Sequence, residues 1–423
     1  MKTRFYLLLL LLSVLLFVSG CAAESMNKPP AVDVTRAVET SPEVEPIPVL
    51  KEEKPDLLEL DPDQVSILAV GDIMVHESQW IAQARGDDCY DFRNNFTHVS
   101  DLLSSSDLSI ANLETTINDD KPVTTYPRFN SPDALLDAMK DVGFNLISTA
   151  NNHSMDTGLT GIFSTLSELE ERDLAVIGTS TDSNAKRYVL KEIKGMKLGI
   201  SSFSTAYFNE KDVVINNIHS KGMEKHVNYM ELTDSLKAFQ RLKKQIDAMK
   251  EEGAEFIILI LHWGNEYEKT ANAYQKDLAQ RLIDEGVGLI LGSHPHMVQE
   301  MEYLSSSDGT SEGLVVYSLG NFLSNQRNEI LNMTGTEDGL ISRVVLQRDE
   351  SGRIVIGRAQ YVPTWVNRIE SGDSHIYEIL PIYGEPEETA ARYHAEEEKI
   401  RTSLNNTQRV MTDSRITHLS LED

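Results

Sequence analysis

The chain has 423 residues, 40% of them hydrophobic and 25% charged, which are globular proportions with room for one large domain and appendages or for two domains. Lys and Arg number 39 against 66 Asp and Glu, a formal net charge of −27. Such a surface repels polyphosphate and anionic headgroups, which excludes nucleic-acid binding and electrostatic adhesion to a membrane.

Residues 1–21 read as a targeting segment outside the fold. Lys2 and Arg4 precede the almost wholly apolar run from Tyr6 to Val18, too short for a comfortable membrane span. Val18-Ser19-Gly20-Cys21 is similar to a bacterial lipobox. That similarity makes Cys21 the lipidated N-terminus of an exported protein, held on the outer face of the bacterial membrane by acyl chains. An ordinary signal peptide cut nearby is the alternative. Residues 22–64 are rich in Pro and acidic residues and keep no apolar period, the composition of a disordered tether. With Cys21 modified, Cys89 has no intramolecular disulfide partner. Asp87, Asp88 and Asp91 disfavour its thiolate, and Cys89 reads as buried or inert.

The folded part begins near Val65. Val65 to Val70 is a strand that turns out at Gly71-Asp72, and Leu108 to Ala111 is a second, ending at Asn112-Leu113-Glu114. Ser131-Pro132-Asp133 opens a helix that runs to Val142. Asn145 to Thr149 is a strand ending at Asn151-Asn152-His153, followed by a helix over 159–172 and a strand over 175–177. Val189 to Lys194 and Leu198 to Phe203 flank Gly195 as a hairpin, and 209–229 reads as a long polar loop. The helix over 233–252 carries Leu236, Phe239, Leu242, Ile246 and Met249 at helical spacing. Glu255 to Leu261 is a strongly apolar strand ending at His262. A helix over 273–285 leads into the strand Val287 to Leu291, which ends at Gly292-Ser293-His294-Pro295-His296. Leu314 to Ser318 ends at Gly320-Asn321-Phe322, and antiparallel strands surround the 349–352 turn. Alternating strands and helices indicate an α/β layered fold over 65–380 with antiparallel edge hairpins, and 381–423 reads as a charged tail, helical over 385–405.

Six strands therefore end, within one to three residues, in Asp72, Glu114, Asn152-His153, His262, His294/His296 and Asn321. Strand ends on one side of a sheet lie close together, and open α/β sheets place ligands there. Proline fixes φ, so two imidazoles bracketing Pro295 sit on a stiff turn. Carboxylates, an amide and imidazoles together suit a divalent ion such as Zn²⁺, Mn²⁺ or Fe²⁺ rather than Ca²⁺. Each residue also has a plain structural reading: Asp72 as a turn residue, Glu114 in a salt bridge, Asn152 as a helix cap, His262 as a core histidine.

Gly71-Asp72-Ile73-Met74, Asn112-Leu113-Glu114, Asn151-Asn152-His153 with Asp156 and Gly158, His262-Trp263-Gly264-Asn265-Glu266-Tyr267, Gly292-Ser293-His294-Pro295-His296 and Ser318-Leu319-Gly320-Asn321-Phe322, in that order, resemble the CapA family of poly-γ-glutamate capsule proteins. The resemblance covers roughly residues 65–335. It implies a fold similar to calcineurin-like metallophosphoesterases, a four-layer α/β/β/α sandwich. Carried over by position, it implies that Asp72 and His296 serve one ion, that Glu114 bridges, and that Asn152, His262 and His294 complete a second. It places His153 by the leaving group as general acid, oriented by Asp156. The phosphoesterase pattern has a histidine two positions after the first Asp, and this chain has Met74, a poor ligand for such ions. A one-metal site is then the alternative, with His76 as a displaced substitute. Arg128, Glu266 and Asn321 are candidate substrate-binding or supporting residues, and Trp263 reads as packing.

Three functions compete on these grounds. One is a lipid-anchored surface protein that assists synthesis, export or attachment of an anionic γ-glutamyl polymer, with a membrane synthase complex as partner. Another is a metal-dependent hydrolase of a phosphoester or of a peptide or γ-glutamyl amide. The last is a non-catalytic binding module with a remnant site.

Overall fold

A computed structural model describes residues 60–86, 89–208 and 212–420. The targeting segment with Cys21, and nearly all of the expected tether, lie outside the described residues.

Two mixed sheets face one another. In the first, Val65–Ile73 is central, antiparallel to Asp338–Arg348 on one side and parallel to Leu108–Leu113 on the other. Leu146–Ser148 and Ala175–Ile177 extend the parallel side, and Ile354–Ser371 and Ser374–Pro381 extend the antiparallel side. In the second, Met196–Phe208, Phe256–His262, Leu289–Ser293 and Glu312–Val316 run parallel. Met301–Ser305 closes one edge antiparallel, and Val189–Ile193 pairs back onto Met196–Phe208.

Side chains alternate across each strand, and that period builds the layers. Ile67, Ala69, Ile110, Ile258, Ile260 and Leu291 meet between the sheets. Leu68, Val70, Ala111 and Leu113 face the helical layer of Leu102, Leu136, Met139 and Leu169. Ile257, Leu259 and Ile290 face the opposite helices through Leu242, Ile246, Leu278 and Leu282. Phe256–His262 is buried along its whole length, as a strand covered on both faces requires. The result is the helix, sheet, sheet, helix order expected of the chain.

Some elements differ from their sequence reading. The helix Ser235–Glu251 buries Ala238, Leu242, Ile246 and Met249. Leu236 is exposed because it lies about 120° round the helix from Leu242. The stretch read as a loop contains a hairpin, Val213–Ile215 with Ile218–His219, and the strand Tyr229–Glu231. Asn216 and Asn217 form its turn with φ of 47° and 58°, the left-handed pair that two-residue hairpins require. The charged C-terminal segment forms Pro386–Tyr393 and Glu397–Val410, and Ile400 and Leu404 pack on Trp365, Leu380 and Ile382. Ile416–His418 then joins the first sheet beside Ile354–Ser371. Cys89, read as buried or inert, is exposed, because it lies on a two-residue edge strand rather than in the core.

One irregularity sets up the site. The register between Val65–Ile73 and Leu108–Leu113 shifts by one residue between Ala69 and Asp72. Such a bulge flips the alternation, so Asp72 faces between the sheets while Ile73 packs outward. The backbone at Gly71 passes so close to the next strand that a Cβ there would lie 1.9 Å from the Gly320 carbonyl oxygen. Gly71→Ala is expected to destabilise the fold by about 3 kcal/mol, as overpacking does, read as a lower urea midpoint; an unchanged midpoint contradicts this packing.

Candidate metal centre

The carboxyl ends of both sheets open on the same side. On Leu108–Leu113, Leu108 and Ile110 point between the sheets, so Asn112 and then Glu114 follow on that face. Phe256, Ile258 and Ile260 do the same on the facing strand, and His262 is the next member of the series. Leu289 and Leu291 lead likewise to Ser293. Beyond it, His294 and His296 adopt φ of 100° and 55° on either side of Pro295, a conformation costly for residues with a Cβ. The turn is tied down from outside: the Tyr267 N–H donates to the Pro295 carbonyl at 2.7 Å and the Trp263 N–H to the Ser293 carbonyl at 3.0 Å. Trp263 itself is packing, stacked on Tyr317 with its indole N–H donating to the Tyr317 carbonyl at 2.9 Å.

These elements bring the candidate ligands together. His262 Nε2 lies 2.9 Å from Asn152 Oδ1 and 3.5 Å from Glu114 Oε1, and its ring centroid is 4.7 Å from that of His294. His296 Nδ1 lies 3.2 Å from Asp72 Oδ2 and 3.1 Å from Asn321 Oδ1. Both of those are acceptors, so Nδ1 carries the hydrogen. That leaves the Nε2 lone pair, 3.9 Å from Glu114 Oε1, as the ligating atom. Asp72, Glu114 and His262 form one group of potential ligand atoms, and Glu114, His294 and His296 another, with the atoms of each group within 4.8 Å of one another. Glu114 is common to both.

The electrostatics fit a cation. Both Glu114 oxygens are buried without a hydrogen-bond partner, as is His294 Nδ1. Burial, then the neighbouring Asp72 charge, raises the Glu114 carboxyl well above its ordinary range. Burial, then the His294 charge, pushes His262 well below its own. Their 3.5 Å approach is therefore not an ion pair in the metal-free chain. Burial would raise Asp72, but the hydrogen bond and charge of His296 outweigh it and hold the carboxyl far below normal. An uncompensated polar cluster of this kind costs several kcal/mol, and a dication with nitrogen and oxygen ligands removes that cost.

Residues 66–326 match the model of the family described as "Bacterial capsule synthesis protein PGA_cap". The chain belongs to this capsule synthesis family. It is 28% identical over 274 residues to "Capsule biosynthesis protein CapA" of Bacillus anthracis, covering 62% of this chain and 61% of that protein. It is 26% identical over 317 residues to "PGA biosynthesis protein CapA" of Bacillus subtilis (strain 168), covering 72% and 74%. The chain thus spans less than two thirds of the length of the B. anthracis relative. Among solved structures, the Haemophilus influenzae NAD nucleotidase NadN aligns over 84% of this chain and 64% of its own, with a TM-score of 0.43 and 12% identity.

In this PGA_cap chain the expected residues fall into two sets. Asp72, Glu114, Asn152, His262, His294 and His296 converge, and Asn321 bonds His296 while donating to Gln326 Oε1 and the Thr336 carbonyl. His153 and Asp156 lie beside them. His153 Nδ1 meets Asp156 Oδ2 at 2.6 Å, and that oxygen also accepts the Phe129 N–H at 2.6 Å. Arg128 and Glu266 are exposed at the rim rather than in the cluster. Phe129, next to Arg128, sets its ring edge-on to both His153 and His76, and the Glu266 charge is felt at Glu114. Met74 is buried, and its thioether is a poor ligand for such an ion. His76 does not replace it: its Nδ1 accepts the Asn325 N–H at 3.2 Å, and burial brings its pKa down to about 4.

Four supporting residues carry no role in the sequence reading. Asn112 donates to Asp72 Oδ1 at 2.8 Å, Asn151 donates to Asn112 Oδ1 at 3.2 Å, and Ser293 Oγ lies 2.9 Å from His262 Nδ1. Asn112 and Ser293 were available from strand parity. Asn216, at the hairpin tip, approaches His153 Nδ1 at 3.4 Å, and its Asn-Asn pair between apolar residues was a turn signal.

Burial, reinforced by the His296 charge, pushes His294 from 6.5 to about 3. The unfolded chain therefore takes up this proton first. In metal-stripped protein, His294 contributes stability above pH 6.5 that drains away as pH falls toward 3, by up to about 1.4 kcal/mol per pH unit. Glu114, raised by burial, acts in the opposite direction, losing stability as pH rises. Urea melts of stripped His294→Gln should show a shallower acid-side loss than wild type; parallel curves contradict the placement.

Proposed function

We propose that this chain is a surface protein, lipid-anchored through Cys21, that assists assembly, export or attachment of poly-γ-glutamate through a divalent-cation centre. The observation that carries the reading is Glu114, a buried carboxylate without hydrogen-bond partners, common to both ligand groups in a chain of the capsule synthesis family. Asp72, Asn152, His262, His294 and His296 are the other residues that would hold the ion. Bound there, a divalent cation of the Zn²⁺, Mn²⁺ or Fe²⁺ kind supplies Lewis-acid polarisation and charge neutralisation. Both serve a protein whose own −27 charge opposes a polyanion. No helix among the described residues is long and apolar enough to cross a membrane.

A second reading, hydrolysis of an amide or phosphoester, is favoured by the His153–Asp156 pair. Asp156 accepts the Nδ1 hydrogen, which fixes the tautomer and leaves His153 Nε2 free to take or give a proton beside the cluster. Arg128 and Glu266 at the rim then serve as candidate contacts for substrate, and Asn321 holds His296 in place.

The two readings separate on purified protein. Metal analysis should find a divalent ion that is lost from His262→Ala and His294→Ala. Polymer binding without turnover supports an assembly role. Cleavage of poly-γ-glutamate or of an aryl phosphate that falls at least about 100-fold in Asp156→Asn, within the usual contribution of acid–base catalysis, supports the hydrolase. Metal-free protein that neither binds nor cleaves overturns both.

A further inference from the structure

A second surface, sharing no residue with the cation centre, follows the open side of the sandwich. It is a groove of about 920 Å³. One wall is Ala175–Ile177, the last strand of the first sheet, which among the described residues pairs only with Leu146–Ser148. The other is Val189–Ile193, which among the described residues pairs only with Met196–Phe208. Each strand thus keeps one edge unpaired by any described strand, so backbone donors and acceptors are available along both walls.

The charge of the groove runs against that of the chain. Its lining includes Lys140, Lys186, Arg187 and Lys191 against Glu170 and Asp173. Lys140 bonds the Asp173 carbonyl and Lys186 bonds Glu252. Arg187 and Lys191 have no carboxylate partner among the described residues. The half-buried Arg187 guanidinium donates to the carbonyls of Ser183 and Lys225 and to Asn228 Oδ1, at 3.4 Å in the last case. Its Nε–H is unused. Its own carbonyl accepts from Ser201 Oγ and Asn228 Nδ2, so the residue is fixed to the sheet at both ends. In a chain with 66 acidic residues to 39 basic ones, a fixed guanidinium and a lysine without carboxylates bonded to them among the described residues, between two open strand edges, are a built feature.

We infer that this groove docks an extended anionic polyamide, with Arg187 and Lys191 taking side-chain carboxylates and the strand edges meeting amide groups. The occupant is a glutamate polymer, an assignment that rests on the capsule-polymer reading above. The groove holds the chain while the cation centre works on it, and the separation lets one bind without the other.

The test uses the full chain in detergent, with fluorescently labelled poly-γ-glutamate as probe and metal content measured in parallel. Arg187→Gln/Lys191→Gln should weaken binding at least tenfold with metal content unchanged. Lys191→Glu, at a half-exposed site with no bonded partner to disturb, should weaken it severalfold should the double variant fail to fold. Wild-type binding in these variants overturns the groove and leaves the capsule-polymer reading intact. No polymer binding by the wild-type chain overturns both. Inorganic polyphosphate that displaces the polymer at equal charge concentration shows that charge alone is read, and overturns a polyamide occupant.

Discussion

A carboxylate buried without a hydrogen-bond partner is expensive, and Glu114 is held in that state by everything around it. Parity places it: two residues beyond Asn112, on the face that Leu108 and Ile110 have already committed to the space between the sheets. The opposing sheet supplies His262 by the same alternation. Both side chains are fully buried there. The shared carboxyl group therefore acts as a fixed oxygen locus, with the Nε2 atoms of His262 and His296 at 3.5 Å and 3.9 Å from its Oε1.

The supporting polar residues explain why the cluster does not collapse into internal hydrogen bonds. Asn112 and the His294 backbone N–H hold Asp72, Asn321 and Asp72 together take the His296 Nδ1 hydrogen, and Ser293 meets His262 Nδ1. With the Nδ1 atoms of His262 and His296 engaged, their Nε2 atoms face Glu114, which is how metal-binding histidines are oriented. The cost of this order is visible in the left-handed backbone at His294 and His296, and in Gly71, where no Cβ fits. Strain concentrated at a polar pocket marks a site whose geometry matters more than its stability.

The sequence shows most of this and hides an informative part. Apolar runs that stop at Asp, Glu or His are visible without coordinates, and so are the facing sheets once strands alternate with amphipathic helices. The bulge before Asp72 is not. Counting by twos from Ile67 and Ala69 aims Asp72 at the helices, and only the bulge between Ala69 and Asp72 turns it inward. Arg128 and Glu266 carry the right chemistry for a substrate contact, but the sequence does not show how far their loops stand from the cluster. The C-terminal segment looks like a solvated tail because charge dominates its composition. The stripe of Ile400, Leu404 and Val410 that docks it is sparse, and Ile416–His418 is too short to register as a strand.

On the reading proposed above, the groove and the cation centre divide the labour of an acidic chain that handles a polyanion: one offers side-chain cations and open strand edges, the other a bound cation. The most direct measurement of the central claim is anomalous scattering from crystals of the purified protein grown with Mn²⁺. The account predicts a peak bonded to Glu114, with His262 or His296 Nε2 in its coordination sphere. A peak elsewhere, or none while Glu114 stays unbonded, contradicts it.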